Sequence, residues 1–363
     1  MAEEKQNVTI ACTATGQPLP DITWSKSVGN LPEDRTEMMN GTLTINSVTR
    51  KDGGIYICKA ENVLGPAKDT AQLMIFSRLQ FKVRPPPEVT PVIGSSVHLP
   101  CEAESDLKPI ITWTKDGESS IPALLNGTLL IRNIKKSHEG SYTCRATNAL
   151  TTIEAKVKIN SPVIVTSCSV IKKYVSSVSG SYVIDPDGSG GLASLTVYCD
   201  MSDKNGVGVT VISHDSESRI LVDGCSHGGC YSRDIHYTGA SLFQLASLTR
   251  VSSHCEQFIK YECWGSRLFR SGTAWWVSRD SNKMTYWGGA SPGSGKCACG
   301  MTNSCANPSY GCNCDKNDQV WREDSGLLTD KTHLPVKQLR FGDAYSSAQG
   351  YHTLGKLKCY GMA

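Results

Sequence analysis

Apolar residues along this chain alternate with polar ones or gather in short β-branched runs, and both patterns predict strands. LTI (Leu43–Ile45) and LLI (Leu129–Ile131) are two such runs in the first part. SLTVYCDM, VGVTVISHD, SRILVD and TAWWVSRD are strand-like pieces after residue 190. Helical spacing is sparse, and SLFQLASLTRVSSHCEQFIKYE (Ser241–Glu262) is the best helical candidate. No apolar run approaches the roughly 20 residues of a membrane helix.

The pattern of the first 160 residues repeats. Cys12 is followed by Trp24 as Cys101 is by Trp113; NGTLTI (Asn40–Ile45) recurs as NGTLLI (Asn126–Ile131), and DGGIYIC (Asp52–Cys58) as HEGSYTC (His138–Cys144). A cysteine, a tryptophan about a dozen residues on and a second cysteine about 45 on fit a β-sandwich whose disulfide joins its two sheets, with the indole packed on it. That expectation covers Cys12, Cys58, Cys101 and Cys144. Tyr56 and Tyr142, each two residues before the second cysteine, stand where a tyrosine corner ties the chain to an upstream backbone group.

These residues resemble immunoglobulin domains of the I-set type, over about residues 1–160. The D-x-G-x-Y-x-C motif is complete in the first copy; His138 replaces the aspartate in the second, which puts one local salt bridge in doubt. Only eleven residues precede Cys12, so the first sandwich is expected to lack its opening strand and the chain to be a fragment without its signal peptide. RPPPE (Arg84–Glu88), stiffened by its prolines, is the expected interdomain linker.

After SPVIV the character changes to glycine-rich turns, twelve of the sixteen cysteines and five of the seven tryptophans. This reads as a disulfide-stapled α+β domain. The run from Cys168 through SYVIDPDGSGG to YCDM resembles the opening of a fibrinogen C-terminal-like domain, and fibrillar collagen C-propeptides open similarly. The resemblance implies a Cys168–Cys199 bridge. AWWVSRDSNKMTYWGG, KCACG, the run from Gly311 to Asp343 and GKLKCYG resemble the fibrinogen-like segment of contactin-associated, neurexin-related adhesion proteins. NGVGVTVISHD replaces the usual fibrinogen run after YCDM, which puts a fibrinogen-type ligand pocket in doubt. The expected fold is multidomain: immunoglobulin-like sandwiches at 1–78 and 84–160, then a disulfide-rich α+β fibrinogen-like domain at 164–363.

The 363 residues have a net charge of +3, too small to argue for nucleic acid or an anionic membrane. The even, dense cysteine set reads as an oxidised, extracellular framework. CACGMTNSCANPSYGCNC (Cys297–Cys314) packs five cysteines into eighteen residues. Zinc prefers C-x2-4-C pairs and redox chemistry C-x-x-C, so a disulfide knot is the favoured reading over either; its pairings are not legible. GASPG (Gly289–Gly293) mimics a nucleophile elbow, but Pro292 lacks the N–H that the oxyanion would need. GSGKC lacks the first glycine and the Ser/Thr of a phosphate loop, and a non-enzyme is expected.

Asp315, Asn317, Asp318 and Asp324 are the candidate calcium ligands, against a solvated polar loop as the plainer reading. No other cofactor is implied. DPDGSG (Asp185–Gly190) reads as a turn. Asn7, Asn40 and Asn126 each open an N-x-Thr glycosylation pattern. Of the adjacent Trp275 and Trp276, one is expected in the core and the other in a second layer or a binding face. The expected function is secreted, extracellular adhesion or matrix assembly through protein contacts and glycans, with homophilic pairing open. Competing readings are a calcium-dependent fibrinogen-related lectin and a structural component of an insoluble or mineralised matrix.

Overall fold

The computed structural model describes residues 1–363, which form two compact units, Met1–Pro162 and Val163–Ala363. The first unit holds two sandwiches, each with its own core. In the first, β1 is Ala2–Glu3, β2 Val8–Ala11, β3 Asp21–Lys26, β4 Thr36–Met39, β5 Thr42–Ile45, β6 Gly54–Asn62, β7 Gly65–Leu73 and β8 Ile75–Phe76. The sheet β2-β5-β4 faces β3-β6-β7, and Trp24, Leu43, Ile45, Tyr56 and Cys58 fill the space between. β1 pairs in parallel with β8, as β10 does with β17 in the second sandwich below, and Ala2 enters the core.

In the second sandwich, β9 is Gln80–Val83, β10 Glu88–Val89, β11 Val97–Leu99, β12 Glu102–Glu104, β13 Ile110–Lys115, β14 Ser120–Ile121, β15 Leu129–Ile131, β16 Gly140–Thr147 and β17 Thr152–Ile159. One sheet is β10-β17-β16-β13-β14; β9–β12 and β11–β15 pair opposite it around Trp113, Leu99, Leu129 and Val157. The expectation that RPPPE joins the two sandwiches is corrected. The run lies between β9 and β10 of one sandwich, where Pro85 is buried and the chain crosses from one sheet to the other. Three prolines suit a crossing because it needs extended backbone and no ladder N–H. The residues joining the sandwiches precede β9. There Asp106 accepts from the Ser77 amide at 2.7 Å and pairs with Arg50 at 2.8 Å, and Glu3 is buried beside Asn148.

In the second unit, β18 is Gly180–Ile184, β19 Leu195–Asp200, β20 Val209–Ile212, β21 Ile220–Val222, β22 Tyr231–Asp234, β23 His254–Trp264, β24 Trp275–Ser278, β25 Lys283–Met284, β26 Arg322–Leu328, β27 Val336–Phe341 and β28 Gln349–Tyr360. They form the sheet β18-β19-β20-β28-β23-β26, with β21 on β28, and a smaller sheet β22-β27-β24-β25. Trp276, Trp287, Tyr261, Phe341 and Leu357 belong to the shared core.

The 22-residue helical candidate divides. Leu242–Val251 is a helix, opened by a capping box in which Ser241 and Gln244 each accept the other's amide. From His254 the apolar period becomes two, with Cys255, Gln257, Ile259, Tyr261 and Cys263 inward, and the chain becomes β23. β23 pairs with both β26 and β28, and this pairing decides what its outer face presents.

Candidate interaction surface

All sixteen cysteines form disulfides. Cys12 joins Cys58, Cys101 joins Cys144, and Cys168 joins Cys199. In the dense run, Cys297 pairs with Cys312, Cys299 with Cys305, and Cys314 reaches back to Cys263. Cys297, Cys312 and Asp324 lie close together, but both sulfurs are bonded to each other and neither is a thiolate.

The four candidate calcium ligands do not converge. Asp315 is buried, and one of its oxygens accepts the amides of Leu268, Phe269 and Arg270 at 2.9–3.0 Å. Asp324 accepts Asn313 N–H with one oxygen and Cys314 N–H with the other, both at 2.9 Å. Burial outweighs these bonds and pushes Asp324 up to about 6. Asp318 is gripped by Arg322 at 2.7–2.8 Å, with Lys316 beside it, and is pulled down to about 2. Asn317 occupies a left-handed turn position. These side chains close loops, each held by its own hydrogen-bonding partners.

What the loops anchor is an exposed aromatic surface. Trp321 directly precedes β26, Trp264 ends β23, and Tyr351 lies on β28. Register places Glu262 beside both Tyr351 and Glu323, and the strand period turns Lys260, Glu262 and Trp264 away from the core. The Trp321 ring stands 5.8 Å from Trp264 and 5.9 Å from Tyr351, and 46% of the Trp321 surface remains exposed. The Arg219 guanidinium lies 3.3 Å above the Tyr351 ring while its Nε donates to Glu262 at 2.9 Å. Arg219, Glu262, Trp321, Arg322 and Glu323 line a cleft of about 350 Å³. Trp, Tyr and Arg on a rigid sheet, rimmed by charge, are the chemistry of a protein-contact hot spot.

Sequence reasoning singled out Trp275 and Trp276 instead. Trp276 is fully buried and donates to the Tyr286 carbonyl; Trp275 is half-buried on the outer face of the smaller sheet, under the Lys283 ammonium. Trp264, Trp321, Tyr351 and Arg219 come from four separated segments, and only the alternation through β23 hinted at which of its residues face outward.

Asn7, Asn40 and Asn126 are all exposed, although Asn7 Oδ1 accepts the Ser47 amide. The glycines that follow Asn40 and Asn126 have a structural role. The Gly41 and Gly127 carbonyls accept the Trp24 and Trp113 indoles at 3.0 and 2.8 Å. Both have positive φ, and a Cβ on them would stand 2.4 and 2.2 Å from the Cys12 and Cys101 carbonyls. The repeated NGT thus seats the core tryptophan. Tyr56 and Tyr142 donate to the carbonyls of residues 52 and 138, as tyrosine corners do. Asp52 forms a bidentate pair with Arg35, whereas His138 accepts the Lys135 amide. GASPG ends in a turn closed by the Ser294 amide on the Ser291 carbonyl.

An immunoglobulin domain model matches residues 1–62 and 80–148. Contactin-associated protein 1 of Rattus norvegicus is 41% identical over 188 residues, covering 50% of this chain and 14% of that protein. Neurexin-4 of Drosophila melanogaster is 39% identical over 189 residues, covering 49% of this chain and 15% of that protein. Extracellular domains 3–5 of Drosophila OTK align at 31% identity over 44% of this chain and 57% of that structure, with a TM-score of 0.35. The chain thus spans about 14% of the length of the first of these curated relatives. No helix is long and apolar enough to cross a membrane. The chain carries immunoglobulin-type sequence and is homologous, along about half of its length, to contactin-associated protein 1 and neurexin-4.

Proposed function

We propose that this chain is a non-catalytic, secreted or cell-surface adhesion segment. It comprises an immunoglobulin-like domain within 1–78, a second that begins with β9 and runs to 160, and a fibrinogen-like domain at 164–363. Its main contact is the Trp264–Trp321–Tyr351–Arg219 surface, which supports the reading because it is aromatic, exposed and held on paired strands. The relatives' name states association with contactin, so a contactin is the first partner to test. The exposed Asn7, Asn40 and Asn126 are glycan acceptors in this reading.

The test is binding of the full chain to an immobilised contactin. Trp321→Ala should weaken binding about tenfold or more, as hot-spot truncations do. Ile55→Ala, an exposed change on the first sandwich, should not. Equal affinity for wild type and Trp321→Ala would reject this surface as the contact. Binding that survives calcium chelation agrees with the dispersed acidic residues and excludes the calcium-lectin alternative.

A further inference from the structure

The outer face of the smaller sheet carries a different chemistry. Trp275, Val277, Ser281, Lys283, Lys337, Gln338 and Arg340 line an open groove of about 400 Å³, with three cations and no carboxylate. Several other cations of this unit pair with carboxylates: Arg219 with Glu262, Arg233 with Asp215 and Arg279 with Asp280. Lys283, Lys337 and Arg340 have no carboxylate within 4.0 Å. The nearest acid in register is Asp234 on β22, and the Gln338 amide occupies it.

The three cations are held in place without being neutralised. Lys337 Nζ donates to Ser281 Oγ at 2.8 Å. Arg340 donates Nε to Gln338 and one terminal nitrogen to the Gly229 carbonyl, leaving its second terminal nitrogen to the groove. Lys283 Nζ stands 3.8 Å above the Trp275 ring. That ring is itself fixed, because it lies where a side chain on Gly229 would be: a Cβ there would sit 2.0 Å from it. In the sheet order, β25 and β27 flank β24, and Lys283 lies opposite Val277 while Arg340 lies opposite Trp275, so two strand spacings and a two-residue offset set them about 12 Å apart at the backbone.

We propose that this groove binds a sulfated saccharide. It needs several anionic groups at fixed spacing, and a sulfate offers oxygens to ammonium, guanidinium, amide and hydroxyl donors together. An acidic peptide fits less well. The groove lies on a sheet face where the β24 backbone is already paired on both sides, and its apolar lining is limited to Val277 and an indole covered by Lys283. The fully oxidised cysteines place the groove in the compartment where sulfated glycans occur. This site is separate in residues from the aromatic contact surface, and it stands or falls independently of it.

The test is retention of the full chain on immobilised heparin in a salt gradient. The combined variant Lys283→Gln, Lys337→Gln, Arg340→Gln should lose affinity about tenfold or more and elute at lower salt. A control removing the same charge, Lys68→Gln, Lys156→Gln, Lys158→Gln on exposed sites of the first unit, should elute with wild type. Fully desulfated heparin should not retain the chain, and polyglutamate should not compete. Co-elution of the groove variant with wild type, an equal loss in the control, or effective competition by polyglutamate overturns the proposal. A near-ultraviolet circular dichroism spectrum unchanged from wild type guards against unfolding of the groove variant; if it changes, Lys283→Gln alone is read in the same assay.

Discussion

Individual residues in this chain often have roles that their type alone does not announce. His352 is fully buried, stacked on Phe341 and bonded through Nε2 to the Tyr231 hydroxyl, while Nδ1 has no partner. Burial pulls its pKa from 6.5 down to about 4, with the Arg233 charge adding to the shift. A histidine that is harder to protonate when folded takes up its proton first in the unfolded chain. Its contribution is therefore fully present above about pH 6.5 and is lost as pH falls toward 4. Asp324 acts in the opposite sense, since its raised pKa favours the fold at low pH and that contribution fades as pH rises through about 6. His352→Phe keeps the ring stack and removes the titration. Thermal unfolding followed from pH 7 to 4 should show wild type losing stability more steeply than this variant; parallel curves would show that His352 does not couple to folding. His352 could be found in the sequence, but nothing local marked it as buried, because its burial is set by β28 lying between β23 and β21.

At the scale of elements, a short strand outranks a run of prolines in deciding where one sandwich begins. Gln80–Val83 pairs with β12, and Phe81 packs against the second core under the Arg84 guanidinium. The prolines that read as a linker merely carry the chain between the two sheets. A fragment of residues 78–162 is expected to unfold cooperatively in urea. One of residues 84–162, lacking β9, should be less stable by about 2 kcal/mol, from the lost burial of one large side chain and its ladder bonds. Equal midpoints would restore 84–88 to the status of linker. The helical candidate fails for a related reason. Its first half has helical period and a capping box, its second half has strand period, and a single long element read across both missed the change at Ser252–Ser253.

Over the whole molecule, the second unit is tied by bridges of very different reach. Cys255–Cys359 closes a separation of 104 residues and joins adjacent strands β23 and β28, whereas Cys225–Cys230 closes only 5. The chain-entropy model assigns the long bridge about 4–5 kcal/mol and the short one about 2 kcal/mol. Replacing each pair by alanines and unfolding the full chain in guanidinium should destabilise the second unit by more in the Cys255/Cys359 variant; equal effects would show that loop entropy is not the main source of their stabilisation. The repeat of Cys, Trp, NGT and Tyr-x-Cys was legible because an immunoglobulin-type core is written by local spacing: each motif residue meets partners that recur at the same offsets in both copies. Oxidation was legible from cysteine number alone. The pairings among the last ten cysteines, the burial of His352, the dispersal of Asp315, Asp318 and Asp324, and the gathering of Trp264, Trp321, Tyr351 and Arg219 belong to the tertiary structure. Each depends on strands far apart in the chain coming into register, and strand register across a sheet is decided by the packing of the whole core, which no short window of sequence contains.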